Sequence, residues 1–181
     1  MTRRSSISMM LAHSRQVLTE RNVEAFERVE KEGTLLDAIV YVAIAAALSS
    51  LFSLVLGPGA FLSTLVSTVL GFVVFVYIVH WWGTQRGGTG TVDEVAYSFA
   101  LFWAPLAVLL GVVSLALAIT IVGIVLIPVA FLAFLVLDVW FAYMATQASL
   151  NLQPGWPTWS VLLLAALASF LVNGVISAIL A

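Results

Sequence analysis

The sequence predicts an all-α polytopic membrane protein, a bundle of five transmembrane helices behind a short amphipathic N-terminal segment, and three observations carry that prediction. No Asp, Glu, Lys, Arg or His occurs from Ala38 to Val79, from Val95 to Leu137, or from Val139 to Ala181. Hydrophobic residues make up 62% of the 181 and charged residues 9%, where a soluble domain carries about a quarter charged residues. Mean hydropathy is +1.13, and no water-soluble fold hides that much apolar surface.

The N-terminal segment, residues 1–33, is read as cytoplasmic and amphipathic. Its apolar run Ile7–Ala12 is too short and mixed for the core of a signal peptide, so no cleavage is expected. Ile7, Met10, Leu11 and Leu18, then Val23, Phe26 and Val29, follow helical spacing. Glu24 with Arg28 and Glu27 with Lys31 stand as i,i+4 pairs in the favourable order. One or two short helices are expected, lying on the membrane surface or on the bundle, with a docking site for a protein partner as the sharper reading.

Residues 34–181 form the predicted transmembrane domain. A span needs about 20 apolar residues to cross about 30 Å of hydrocarbon. Leu35–Leu56, Ala60–Trp82, Val95–Ile119, Gly123–Tyr143 and Trp159–Leu180 qualify. The third and fourth are split at Thr120–Gly123, because one continuous helix would overshoot a bilayer. Gly57-Pro58-Gly59 reads as a turn between the first two.

Charge sets the orientation. Arg3, Arg4, Arg15, Arg21, Arg28 and Lys31 precede the first span, and Arg86 lies between the second and third. The positive-inside rule makes both segments cytoplasmic, which puts the C-terminus outside; a bacterial cytoplasmic membrane is the expected location. Trp81, Trp82, Trp140, Tyr143, Trp156 and Trp159 then form an aromatic belt at one boundary.

Most polar residues in the spans have structural readings. Thr34 to Asp37 and Thr91 to Glu94 have capping-box spacing, in which the threonine hydroxyl and the acid satisfy each other's backbone amides. Asp37 and Glu94 are therefore read as helix-start chemistry. Small residues recur every four positions at Ala45, Ser49 and Ser53, at Ser63, Ser67 and Gly71, at Ala107 and Gly111, and at Ala165, Ser169, Asn173 and Ser177. Such stripes let helix backbones approach closely in lipid, so they are read as packing seams.

Asp138 has no capping or boundary role to play. If the fourth span enters at Gly123, Asp138 lies about 22 Å further in, still inside hydrocarbon. It shares a small or polar helical face with Ala142, Ala145 and Ser149, so its carboxyl is expected to face the bundle interior. An acid at that depth costs about 2.5–3.5 kcal/mol on insertion scales and commonly marks a site. Tyr41, Tyr77 and Ser98 stand at matching depth, with His80 and Arg86 nearer the cytoplasm, and complete the candidate binding set. The alternative is a neutral carboxyl hydrogen-bonded between helices for packing.

Other chemistries find little support. A net charge of −2 with seven basic residues argues against nucleic acid. The chain has no cysteine, which excludes a disulfide framework and a thiolate metal site. There is no nucleophile elbow, Walker loop or HExxH, so the chain is read as non-enzymatic, with no cofactor and no metal. Membrane lipid is the expected surrounding, with a protein partner at the cytoplasmic face and a second copy of the chain as further candidate partners.

The run Gly87-Gly88-Thr89-Gly90-Thr91-Val92-Asp93-Glu94-Val95-Ala96-Tyr97-Ser98, continuing to Ala104-Pro105, is a glycine-rich loop followed by a capped helix with a proline a few turns in. With the Gly123 to Pro128 segment and the closing small-residue helix, it resembles the Yip (Ypt-interacting protein) family, especially its short prokaryotic members, over about residues 15 to 181. The resemblance implies five membrane helices and a cytoplasmic N-terminus. Eukaryotic members look like trafficking factors that contact Rab-type GTPases through a long N-terminal region, where this chain has only the segment before Leu35.

Two functions follow as expectations. The first is a non-enzymatic membrane protein of Yip type that organises membrane or protein partners through helix seams and cytoplasmic segments. The alternative is a small-solute or ion transporter or channel in which Asp138 is a buried coupling carboxylate. A cavity at Asp138 would favour transport, and a dry bundle with Asp138 bonded to a neighbouring tyrosine would favour the organiser.

Overall fold

The computed structural model describes residues 6–51 and 58–180, the side chains of 173 and 175–180 excepted. Among the described residues seven α-helices follow one another: α1 (Ile7–Glu20), α2 (Val23–Glu27), α3 (Leu35–Ser49), α4 (Pro58–Gln85), α5 (Val92–Ala118), α6 (Ile121–Leu150) and α7 (Trp156–Leu180), with a 3-10 turn at Glu30–Glu32. No strand occurs among the described residues.

Local chemistry sets most helix ends. Both expected capping boxes form: Thr34 with Asp37 opens α3, and Thr91 with Glu94 opens α5. Thr120 opens α6 by accepting the Gly123 amide at 2.9 Å, so the long apolar run breaks where expected. At Gly123 an added Cβ would collide with the Leu117 carbonyl oxygen, so the break needs glycine there.

Other boundaries differ from the sequence reading. The α6 helix continues past Tyr143 to Leu150, because its stop signal is Asn151, left-handed at φ 52°, and not the thickness of a bilayer. The α4 helix starts at Pro58, so Pro58 and Gly59 are helical and not a turn. Proline's fixed φ suits a first helical turn. Helix α3 ends at Ser49, shorter than the expected span to Leu56. Residues 52–57, which include Ser53 of that span and Gly57 of the expected turn, lie outside the described residues, as do the side chains of Asn173 and Ser177.

Helices α4, α5 and α6, of 28, 27 and 30 residues, are long and apolar enough to cross a membrane. A fourth candidate is the pair Val23–Glu32 and α3, bent by 109°. The first arm of that pair carries Glu24, Glu27, Arg28, Glu30, Lys31 and Glu32. Membrane embedding is further supported by the outward faces of these helices, where Leu62, Val66, Leu109, Val112, Val125, Leu132 and Val136 are exposed. A water-soluble protein would not leave an apolar surface of that extent uncovered.

The five helices α3 to α7 run up and down. Leu35 at the start of α3 meets Asp93 at the start of α5. Thr89, before α5, binds the Leu150 carbonyl at the end of α6 at 3.0 Å. Tyr143 near the end of α6 accepts the Gly155 amide before α7 at 2.8 Å. One end of the bundle therefore collects the starts of α3, α5 and α7 and the ends of α4 and α6.

The N-terminal helices close that same end. Met10, Val17, Ala25, Phe26 and Val29 are buried in one core with Tyr97, Leu101, Phe102 and Ala145. Phe26 meets Phe102 edge-on at 6.2 Å, His13 Nδ1 lies 2.9 Å from the Tyr97 hydroxyl, and Ser14 lies 3.0 Å from that of Tyr41. Of the two expected settings, the bundle holds this segment. The buried stripe is Met10, Ser14 and Val17, while Ile7 and Leu11 point outward. Arg28 pairs with Glu20 of α1, where spacing within α2 suggested Glu24.

Candidate functional site

Inside the membrane domain, α4 packs mainly on α7, whereas α3 and α6 pack on α5. Between these two groups the side chains do not close up. A cavity of about 510 Å³ remains, walled by α4, α5, α6 and α7. That volume falls within the range of small-molecule sites.

Each wall brings a different chemistry. From α4 come Ser63, Thr64, Ser67 and Thr68, a ladder of hydroxyls on successive turns, with Gly71 leaving room above them. From α4 and α5 come Phe72, Phe75, Phe99, Phe102 and Trp103. Phe75 and Phe99 lie 5.1 Å apart and Phe99 and Phe102 5.5 Å, while Phe72 and Trp103 lie 6.2 Å apart, so the aromatics form a shelf of two contacting groups. Asp138 and Ala142 come from α6, and Ser169 from α7.

Asp138 is half-buried, and none of the described hydrogen bonds or ion pairs reaches its carboxylate. A second, apolar cavity of about 210 Å³ lies on its other side between α5 and α6, lined by Leu106, Leu110, Phe131 and Phe134. Trp103 lines both cavities and also a third one, toward Ser49 and Ser114, which shares Thr64 and Thr68 with the first. The acid thus stands at the meeting of hollow spaces, with an indole beside it.

The other sequence-predicted residues lie elsewhere. The Tyr41 hydroxyl is engaged by Ser14. Tyr77 is half exposed on the outer face of α4. Ser98 is fully buried, and its hydroxyl has no partner among the described residues. His80 is half-buried near the end of α4, and Arg86 sits with its guanidinium 5.1 Å from the Trp82 ring centroid, a cation–π contact. None of these five lines the Asp138 cavity.

What sequence reasoning missed is the α4 ladder. Its signal was present as Ser63-Thr64, repeated four residues later as Ser67-Thr68 inside an uncharged span. Ser63, Ser67 and Gly71 stood out only as a packing seam. The seam reading does fit α3 and α5, where a Cβ on Gly111 would lie 3.5 Å from the Ser49 Cα. On α4 the same kind of stripe faces the hollow instead.

Chemically, the arrangement offers one acid, several hydroxyls and aromatic rings in a space bordered by four helices. Among the described residues no three His, Cys, Asp or Glu side chains gather as metal ligands. No family model, no curated protein and no solved structure matches this chain, so the functional argument rests on the geometry itself.

Proposed function

We propose that this chain is a five-span integral membrane protein that binds a small polar solute in the cavity at Asp138 and carries it across the membrane, with the Asp138 carboxylate as the coupling group. One observation carries the reading: Asp138, the one acid inside the uncharged runs of the spans, lines a cavity of about 510 Å³ with several hydroxyls and is reached by none of the described hydrogen bonds or ion pairs. An unpaired carboxyl inside hydrocarbon is costly to keep. A solute or proton that neutralises it during each cycle gives that cost a use. Pro105, two residues past the cavity-lining Trp103, and Pro128, ten residues before Asp138, each remove a backbone bond from α5 and α6, which suits bending at those points. The positive-inside rule supports an N-terminus in the cytoplasm.

A second reading, a Yip-type organiser of membrane partners, draws support from the glycine-rich loop. Gly88 and Gly90 pack against the end of α6 so closely that side chains there would meet backbone, so the motif is built into the fold. The outward Ile7 and Leu11 of α1 leave a surface for lipid or protein.

Reconstitution decides between them. Liposomes holding the wild type should show solute or proton flux above that of empty liposomes, and Asp138→Asn should abolish it while the protein stays monodisperse in detergent. If folded wild type gives no flux for any of a broad panel of solutes, the transport reading fails and the organiser stands.

A further inference from the structure

Resting on the solute-binding reading above, we infer that the cavity selects an organic ammonium: a small amine or quaternary ammonium ion held by Asp138 and the aromatic shelf.

Charge gives the first step. Among the described residues, Asp138 is the only ionisable side chain on the cavity wall. An anionic solute would meet it with like charge, and a neutral one would leave it unpaired. A cation compensates it directly.

The aromatic shelf gives the second step. Phe75, Phe99, Phe102 and Trp103 line the same space as the carboxylate. Aromatic rings attract cations through their quadrupole, and arrays of them are a recurring device for holding alkylated ammonium groups. A sugar or polyol can donate hydroxyl bonds to the acid, but it brings no charge to balance the carboxylate.

Size and hydroxyl chemistry exclude the simpler cations. A bare proton or metal ion would leave most of about 510 Å³ unused, and hard cations require several oxygen ligands gathered at short range. The wall has one carboxylate, and no metal-binding group occurs among the described residues. The Thr64 hydroxyl donates to the Ala60 carbonyl at 2.8 Å, which leaves its oxygen as an acceptor. An acceptor suits N–H donors or the polarised methyl groups of an alkylammonium.

The test compares choline with its uncharged isostere 3,3-dimethylbutan-1-ol, by calorimetry on the full chain in a detergent without choline headgroups. Choline should bind about tenfold more tightly or better. Asp138→Asn should bring choline down to the level of the alcohol, Asp138→Glu should keep the preference, and Trp103→Leu should weaken choline more than the alcohol. If Asp138→Asn does not fold, Asp138→Glu and Trp103→Leu carry the comparison. Equal binding of the two probes, each lost in Asp138→Asn, overturns the ammonium assignment and leaves solute binding standing. Failure of both probes in a protein that still shows flux also overturns it. Failure of both probes in a protein without flux overturns this inference and the reading beneath it.

Discussion

The Asp93 carboxylate, at the start of α5, accepts the Leu35 amide at the start of α3 at 2.8 Å. One helix thereby caps another across 58 residues of sequence, while each keeps its own threonine cap. Helix starts leave amides without partners, and a carboxylate there also meets the positive end of the helix dipole. Asp93→Ala should therefore cost about 1 kcal/mol of stability, and Asp93→Asn, which keeps an acceptor oxygen, clearly less. Thermal unfolding in detergent followed by circular dichroism checks the order.

That bond marks where the sequence stopped being legible. Capping boxes are local: Thr34 with Asp37 and Thr91 with Glu94 lie three residues apart, so spacing alone reveals them. The Asp93 bond depends on α3 and α5 running side by side, which no local pattern encodes. The same divide runs through the candidate site. Asp138 is conspicuous as the lone acid in an apolar helix, but depth counting does not give helix rotation. It therefore paired Asp138 with Tyr41 and Tyr77, of which one bonds to Ser14 and the other faces outward. Rotation of α4 is what turns Ser63, Thr64, Ser67 and Thr68 toward the acid.

The buried N-terminal helices make a mutational prediction. Phe26 is fully buried and packs edge-on against Phe102 of α5. Phe26→Ala should destabilise the folded protein by about 3–5 kcal/mol, even in detergent with no bilayer to bind. A segment that merely rested on the membrane would show no loss in detergent. Leu11→Ala, on the outward face, should leave stability unchanged to within about 0.5 kcal/mol.

Gly90 should tolerate no side chain. A Cβ there would collide with the Ser149 carbonyl oxygen at the end of α6, and backbone cannot swing aside as a side-chain tip can. Gly90→Ala is expected to cost about 1–3 kcal/mol. Gly59→Ala, where a Cβ meets open space, serves as the control and should be neutral or slightly stabilising in the same melting experiment.

Stability should also depend on pH through Glu30. Its side chain is only 4% exposed, and Oε2 has no hydrogen-bond partner among the described residues. Burial, then the Glu94 carboxylate, push its pKa from 4.5 up to about 7, with Lys31 pulling back and Glu27 adding to the rise. The folded state then holds a proton that the unfolded chain has released between pH 4.5 and 7, so stability falls as pH rises through that window. His13 opposes this: burial lowers its pKa despite the nearby Glu32, so its share is lost as pH falls below 6.5. Glu30→Gln should flatten the decline toward pH 7 and stabilise the protein at pH 8, read from melting temperatures across the range. An unchanged slope would show that Glu30 is solvated.

The last prediction separates a site from a strut at Asp138. A carboxyl that holds helices together loses its bond when replaced, and the bundle weakens. A carboxyl kept for a ligand stores a cost that the empty protein bears alone. No described residue bonds to Asp138, and apolar Leu106, Leu110 and Phe131 line the cavity on its other side. Asp138→Leu should therefore stabilise the empty protein by about 1 kcal/mol or more, while choline binding and flux disappear. Equilibrium unfolding in mixed micelles, set beside the calorimetric titration of the same variant, measures both halves. A destabilised Asp138→Leu that still folds would make the acid a strut and remove the cavity's claim to function.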